Sequence, residues 1–372
     1  MKRTARVLFL ALFASLVGAG SAFAQFMAAD TLFVPAVAHS DGANDSHWRT
    51  DLTITNVDST PVDVAIFFVP GGVGDNSGFV VNRDQGLGGT ADDGFGDVNE
   101  SLANIPPGGS VTLTDLVGQY WIPKLGAAAS IGGLVIFSWE SGTLDNEGNR
   151  TFRNITAYTR TYNATQIWVP DPDNEGQFIQ KDATYGQNIP AVPWYNLADA
   201  SVASPEKDLS FQLISGARDD DTFRFNLGLF NTSDAQTSIQ LLIEPFDSTG
   251  ERLLDENGQA RAKVVQLGPF GQTQLFRTLR DDFGVTNVSD VLLRISFSFW
   301  STTGTDPVPT FTSYGSLIDG RTNDPTTLLP SFAFPYDINS IWTIPDGGAT
   351  AAITRLGSPA KVRLRPIRMP RK

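Results

Sequence analysis

The sequence predicts an all-β chain, two antiparallel β-sandwiches in tandem, and three observations carry that prediction. The 40 acids divide into 32 Asp and 8 Glu. Asp favours turns and caps whereas Glu favours helices, which weighs against a mostly helical protein. Apolar stretches of strand length recur every 8 to 12 residues or so, between Gly, Pro, Asn and Asp and without helical periodicity. The chain also repeats itself at long range. Its 372 residues suffice for two domains of about 100 to 200 residues, each able to bury its own core.

Taken in order, residues 1–24 read as a cleaved signal peptide. Lys2, Arg3 and Arg6 form the positive region, residues 7–17 the apolar run, and Ala22-Phe23-Ala24 the small-x-small cleavage site. The mature chain is expected to start at Gln25 and to be secreted, periplasmic or on the cell surface. No later stretch is long and apolar enough to span a bilayer. The first sandwich is expected over residues 25–165. It opens on Trp48-Arg49-Thr50-Asp51-Leu52-Thr53-Ile54-Thr55-Asn56, answered 175 residues later by Phe223-Arg224-Phe225-Asn226-Leu227-Gly228-Leu229-Phe230-Asn231. Period-two alternation places Leu52 and Ile54, like Leu227 and Leu229, on one strand face, and the closing Asn suits a turn.

The correspondence continues through Ile105-Pro106-Pro107-Gly108-Gly109 and Leu267-Gly268-Pro269-Phe270-Gly271, then to the Tyr-bearing strands around Tyr158 and Tyr314. From the Arg to the Pro of this turn the first copy takes 58 residues and the second 45. The first therefore carries an insertion, placed at 71–100, where Gly and Asp dominate and an exposed loop is expected. Residues 166–207 are expected to be an ordered linker or interface segment, residues 208–343 the second sandwich, and residues 344–372 a basic tail.

Charge and composition exclude several functions. Without Cys there is no disulfide scaffold, thiol nucleophile or Cys-ligated metal. Beyond the signal peptide, residues 25–354 hold 17 bases against 40 acids, and the last 18 residues hold seven bases and no acid. So acidic a body repels nucleic acid, which needs cationic partners. The basic tail is expected either to be a solvated terminus or to dock on a polyanion, including the acidic body of a second copy, so self-association is an expectation.

The strings W-R-T-D-L-x-x-x-N from Trp48, T-R-T-Y-N from Thr159, T-Y-G-Q-x-I-P from Thr184 and F-R-x-N-L-G-L-x-N from Phe223 resemble a recurring type of exported bacterial two-repeat β-sandwich protein. The resemblance covers most of residues 31–330. It implies tandem Ig-like sandwiches, export and bacterial origin, and it nominates no catalytic residue.

Candidate chemistry is sparse. His39 and His47 are the two imidazoles and share one loop with Asp41 and Asp45, at a spacing that matches no standard ligand pair. Calcium has a better claim at Asp171, Asp173, Glu175 and Asp182, hard oxygen ligands near alternate positions with Gly176 at the turn. Pro172 and the absence of flanking helices depart from that pattern. Trp168, Trp194, Tyr195 and Trp342 fall in loop-like context and could stack on sugar rings. Trp48, Trp139 and Trp300 lie within strand patterns and are expected in the core. Forty acids leave a carboxylate-pair glycoside hydrolase open without selecting a pair. The expected function is a non-catalytic envelope or matrix module, structural, adhesive or interacting, with an envelope or matrix protein or a surface polysaccharide as partner and no obligatory cofactor. The alternative is a carbohydrate-active protein, a glycan-binding module or a hydrolase, with Ca²⁺ as an aid.

Overall fold

The computed structural model describes residues 27–42, 46–80, 100–144, 150–170, 172, 177–200, 211–233, 235–304 and 309–333. The signal peptide, the tail and most of the 71–100 insertion lie outside the described residues. The N-terminal half contributes β1 (Thr31–Ala38), β2 (Ser40–Asp41), β3 (His47–Asn56), β4 (Val62–Pro70), β5 (Glu100–Ile105) and β6 (Ser110–Leu113). It continues with β7 (Ile131–Leu144), β8 (Arg150–Phe152), β9 (Ile155–Pro170), β10 (Phe178–Pro190) and β11 (Val192–Pro193). The C-terminal half contributes β12 (Ala198–Asp199), β13 (Phe211–Asp219), β14 (Phe223–Asn231), β15 (Thr237–Phe246) and β16 (Lys263–Leu267). After these come β17 (Gln272–Leu275), β18 (Val288–Thr302), β19 (Thr310–Asp319), β20 (Pro325–Leu328) and β21 (Ser331–Ala333). Short helices α1 (Ile122–Leu125) and α2 (Thr278–Asp281) follow β6 and β17.

The strands form four antiparallel sheets. Sheet I runs β11-β1-β7-β4-β5 and sheet II runs β10-β9-β3-β2, with β6 also on β3; sheet III runs β12-β19-β14-β17, with β20 on β19, and sheet IV runs β16-β15-β18-β13-β21. Sheets I and II enclose one core, in which Leu52 and Ile54 of β3 face Val64 and Ile66 of β4 and Leu134 of β7. Sheets III and IV enclose another, in which Leu227 and Leu229 of β14 face Leu241 of β15 and Leu293 of β18. Each of these side chains is fully buried, and truncating one to Ala costs about 2–5 kcal/mol in such a core.

The two halves have one strand order. β10-β9-β3-β6 of sheet II matches β20-β19-β14-β17 of sheet III, and β1-β7-β4-β5 of sheet I matches β13-β18-β15-β16 of sheet IV. Register agrees as well: Leu52 lies opposite Leu113 and Thr159, and Leu227 lies opposite Leu275 and Gly315. The strand-ending Asn residues have a physical reason. Asn56 Nδ2 donates to the carbonyls of Thr60 and Ile105, while its Oδ1 accepts the Asp58 N–H. Asn231 Nδ2 donates to Thr237 and Gly268 carbonyls, while its Oδ1 accepts the Ser233 N–H. Both amides are buried, and each satisfies carbonyls that two converging strand ends would otherwise leave unpaired.

Three expectations need correction. Residues 166–207 were expected to be an ordered linker or interface segment. β10 does meet the C-terminal half, through Gln187 with Ser316 and Asn188 with Thr327. As a linker the segment needs correction, because β9 runs on to Pro170 and pairs with β10 from Tyr158 onward, and β11 pairs with β1. Most of that segment therefore belongs to the N-terminal sheets, past the boundary expected at residue 165. Its outer part shows no apolar alternation because both faces of the β9–β10 ribbon are largely exposed. The insertion is not simply an exposed loop at its start: Gly72 pairs with Gln272, Val73 O accepts the Gly268 N–H, and Val80 is buried. Trp139 lies in a buried cluster and Trp300 packs against the C-terminal core, but Trp48 is only partly buried and faces a cleft.

That third cluster joins the halves. The outward face of sheet I (Phe33, Phe67, Val135, Phe137) meets Phe230 and Phe270 of the C-terminal half, with Phe33 and Phe230 edge to face at 6.2 Å. β4 and β7 are therefore covered on both faces. This accounts for their unbroken apolar runs, Ala65-Ile66-Phe67-Phe68-Val69 and Leu134-Val135-Ile136-Phe137, where a half-exposed strand would alternate.

Candidate functional site

The face of sheet III that the core leaves free is shared between two tasks. Since Phe225, Leu227 and Leu229 point into the core, the alternate residues Arg224, Asn226, Gly228 and Phe230 point away from it. At one end Phe230 and its cross-strand partner Gln272 are pressed against the N-terminal half, where Gln272 Nε2 donates to Pro35 O at 3.2 Å. At the other end the surfaces diverge and leave a cleft of about 670 Å³. Its floor is Arg224, Asn226, Gln274, Arg277, Tyr314 and Ser316, and its facing wall includes Trp48, Thr161 and Gln187.

Each floor residue is placed by local backbone chemistry. After β17 the chain turns sharply through Arg277, a non-glycine residue at φ 47°. The Asn226 Oδ1 accepts the Arg277 N–H at 3.0 Å, which holds this strained residue in place. Tyr314 lies opposite Gly228. A Cβ at Gly228 would stand 1.7 Å from the Tyr314 ring, so glycine is what lets the ring lie flat across β14. Tyr314 is 2% exposed, and burial pushes its phenol well above the ordinary tyrosine range, keeping it neutral. From the opposite wall, Gln187 Nε2 donates to Ser316 Oγ at 3.3 Å and ties β10 to β19 across the cleft's margin.

The floor is positively charged although the body is acidic. Two guanidinium groups, of Arg277 and Arg280, adjoin one buried carboxylate, Asp219, and a third, of Arg224, lies beside Arg277. Arg280 holds Asp219 Oδ1 through Nε at 2.9 Å and Nη2 at 2.8 Å, while Arg277 Nη2 is 3.8 Å away. Burial pushes the Asp219 carboxyl above its ordinary range, against the pull of Arg280 and then Arg277. Arg224 donates to the neutral Asn323 Oδ1 at 3.2 Å. Burial first, and the neighbouring Arg277 second, lower the Arg224 pKa. Two lining atoms, Arg277 Nε and Gln187 Oε1, are buried without a hydrogen-bond partner. Among the described residues Asp41 is the one acid of the lining, and it pairs with His47 Nδ1 at 2.6 Å.

The equivalent place in the N-terminal half has the same backbone and the reverse charge. Asp115 follows β6 at φ 43°, and Asp51 Oδ1 accepts its N–H at 2.9 Å, as Asn226 does for Arg277. Asp51 shares the strand face of Arg49, and Arg49 Nε lies 4.0 Å from Asp115 Oδ2, with His39 Nδ1 2.7 Å from Asp115 Oδ1.

Of the calcium and sugar-stacking residues nominated from sequence, none that is described lines this cleft. Asp171, Asp173, Glu175 and Trp342 lie outside the described residues, as does Asp45. Asp182 is exposed on β10 and accepts a hydrogen bond from Gln166 Nε2 at 3.1 Å. Among the described residues no group of three His, Asp or Glu side chains is placed to hold a metal ion; His39 and His47 each pair with a different Asp. Trp168 belongs to β9, with its backbone opposite Gln180. Trp194 and Tyr195 do come together, 52% and 45% exposed and edge to face at 5.6 Å, and Tyr195 Oη donates to Ala28 O. Arg224, Asn226, Arg277 and Tyr314 were not singled out as site residues. The signal that could have found them is the repeat itself, which sets Asn226 against Asp51 and Arg277 against Asp115.

No helix among the described residues is long and apolar enough to cross a membrane. No protein-family model matches the chain, and neither a curated protein nor a solved structure matches it.

Proposed function

We propose that this chain is a non-catalytic interaction module of a bacterial envelope or matrix, exported and trimmed at Gln25, in which two Ig-like sandwiches form one body and the cleft between them receives the partner. The observation that carries this reading is the double anchoring of the halves. An apolar interface around Phe230 and Phe270 is reinforced by backbone bonds from residues 72, 73 and 76 to residues 268, 269 and 272. Anchoring of this kind sets the cleft walls before a ligand arrives, which lowers the ordering cost of binding. A flexible spacer has no use for it.

A glycan is the favoured partner within this reading. Trp48 and the 60%-exposed Phe276 offer aromatic faces at the cleft, beside the amides of Asn226 and Gln274. Apolar faces with a few placed polar groups suit a sugar ring and its hydroxyls. Calorimetric titration of the full chain with envelope polysaccharide fragments tests the proposal. Saturable binding that weakens in Trp48→Ala, with no release of reducing ends on long incubation, is the expected result. Reducing-end release would replace this reading with a carboxylate-pair hydrolase. Binding indifferent to Trp48→Ala would move the site out of the cleft.

A further inference from the structure

The floor of the cleft gathers more cations than carboxylates among the described residues, since Arg277 has to share Asp219 with Arg280 and Arg224 meets no acid there. The N-terminal copy shows that the chain can place acids at such a position. In the N-terminal copy the two residues that share the left-handed turn bond are Asp51 and Asp115, both acids, and Asp115 pairs with Arg49. In the C-terminal copy the same bond is kept by Asn226 and Arg277. The backbone needs only an acceptor at position 226, which Asp would supply as well as Asn. Nor does it need a cation at 277. Electrostatics within the fold favours the acid at both places, because Arg224 and Arg277 repel one another while Asp219 is taken by Arg280. Partly buried guanidinium groups that outnumber their carboxylate cost stability, and residues that cost stability are found where a ligand supplies the missing charge.

We infer that Arg224 and Arg277 form an oxyanion subsite on the floor of the cleft, which holds a carboxylate, sulfate or phosphate group of the ligand, with the Asn226 amide as a further donor. Planar guanidinium forks match such groups in shape and charge. Arg277 Nε is a buried donor without a partner, and on the facing wall Gln187 Oε1 is a buried acceptor without one, suited to a ligand hydroxyl. Asn226 is 3% exposed; its Oδ1 is used by the Arg277 N–H, which leaves Nδ2 to donate. The inference rests on the cleft being the recognition surface and adds the chemical class of what it recognises: an acidic ligand, although the protein as a whole is acidic.

The test uses the full chain at low ionic strength with four probes, glucuronate, inorganic sulfate, inorganic phosphate and neutral glucose, titrated by calorimetry into the native protein, Asn226→Asp, Arg224→Gln and Arg49→Gln. Asn226→Asp is nearly isosteric and keeps the acceptor for the Arg277 N–H, so a melting curve should report a folded protein. The native protein should bind glucuronate and at least one inorganic anion, more weakly as salt rises. Asn226→Asp and Arg224→Gln should each weaken that binding about 10- to 100-fold, the range for a charge-assisted hydrogen bond, and Arg49→Gln should leave it unchanged. Glucose bound as tightly as glucuronate, by the native protein and Asn226→Asp alike, would overturn the subsite and leave the cleft reading standing. Anion affinity unaltered in Asn226→Asp and Arg224→Gln would overturn the subsite, and silence of all four probes would count against both.

Discussion

Arg49 and Arg224 occupy the same position in two copies of one strand, and the chain surrounds them in opposite ways. Beside Arg49 stands Asp115, which His39 joins, with Asp51 accepting the Asp115 N–H. Around Arg224 stand Asn226, Arg277 and the neutral Asn323. The backbone task is identical, an Oδ1 acceptor that holds the first residue of a left-handed turn. The comparison separates what the fold requires from what it merely permits. The fold requires the acceptor, the buried Leu and the closing Asn, which recur in both copies. Charge at the turn is free to vary, and there the copies diverge.

The largest effect expected of this comparison concerns what the copies share. Asn231→Ala and Asn56→Ala should each cost about 2–4 kcal/mol in urea-induced unfolding, because buried carbonyls lose their donor. Equal losses would support equivalence of the two positions, and a loss confined to one would break it. Next comes the glycine. Gly228→Ala should cost about 1–3 kcal/mol by driving a methyl into the Tyr314 ring. Thr53→Ala, at the equivalent N-terminal position, should stay within about 0.5 kcal/mol, as surface substitutions usually do. A small cost at Gly228 in thermal melts would show that the Tyr314 ring moves aside freely.

A smaller effect with opposite signs is expected at the two arginines. Arg49→Gln takes away the guanidinium beside Asp115 and should destabilise by about 0.5–1 kcal/mol. Arg224→Gln relieves a like-charge contact and should be neutral or stabilising by about 0.5 kcal/mol in the absence of ligand. The same sign at both would remove the charge-reversal argument. The smallest effect is in acid. Asp247 is held below its ordinary pKa, first by the Thr249 hydroxyl, and Asp255 first by the Gln259 N–H. Carboxyls with depressed folded pKa values stabilise fully above about pH 4 and lose that contribution as the pH falls through the lower folded values. Asp247→Asn and Asp255→Asn should therefore flatten the stability profile below pH 4 and leave it unchanged at pH 7.

Much of the fold was legible because burial on one face writes a period of two. Leu52, Ile54, Leu227 and Leu229 were placed by alternation, and the terminal Asn residues by turn chemistry. The wealth of Asp has the same explanation, since Asp75, Asp220, Asp247, Asp255 and Asp319 accept N–H bonds within tight turns. The β9–β10 ribbon stayed hidden because a strand pair exposed on both faces carries no apolar rhythm. Trp48 lies on a strand, as alternation suggests, but faces a second body that the pattern of one sandwich cannot reveal. The cleft was illegible for the same reason: its floor and its wall come from different halves and meet only through the Phe33–Phe230 interface. What the sequence did contain was the substitution pattern between copies, Asp to Asn and Asp to Arg, readable once the turn geometry gives those positions a meaning.

The most direct measurement of the central claim is the melting temperature of the full chain against sulfate concentration, with ionic strength held constant by chloride, in the native protein and in Asn226→Asp. An anion that binds only the folded state raises the melting temperature with concentration. The account predicts a saturable rise in the native protein and its loss when the acid of the N-terminal copy is placed at residue 226. An equal rise in both proteins, or none in the native one, would contradict it.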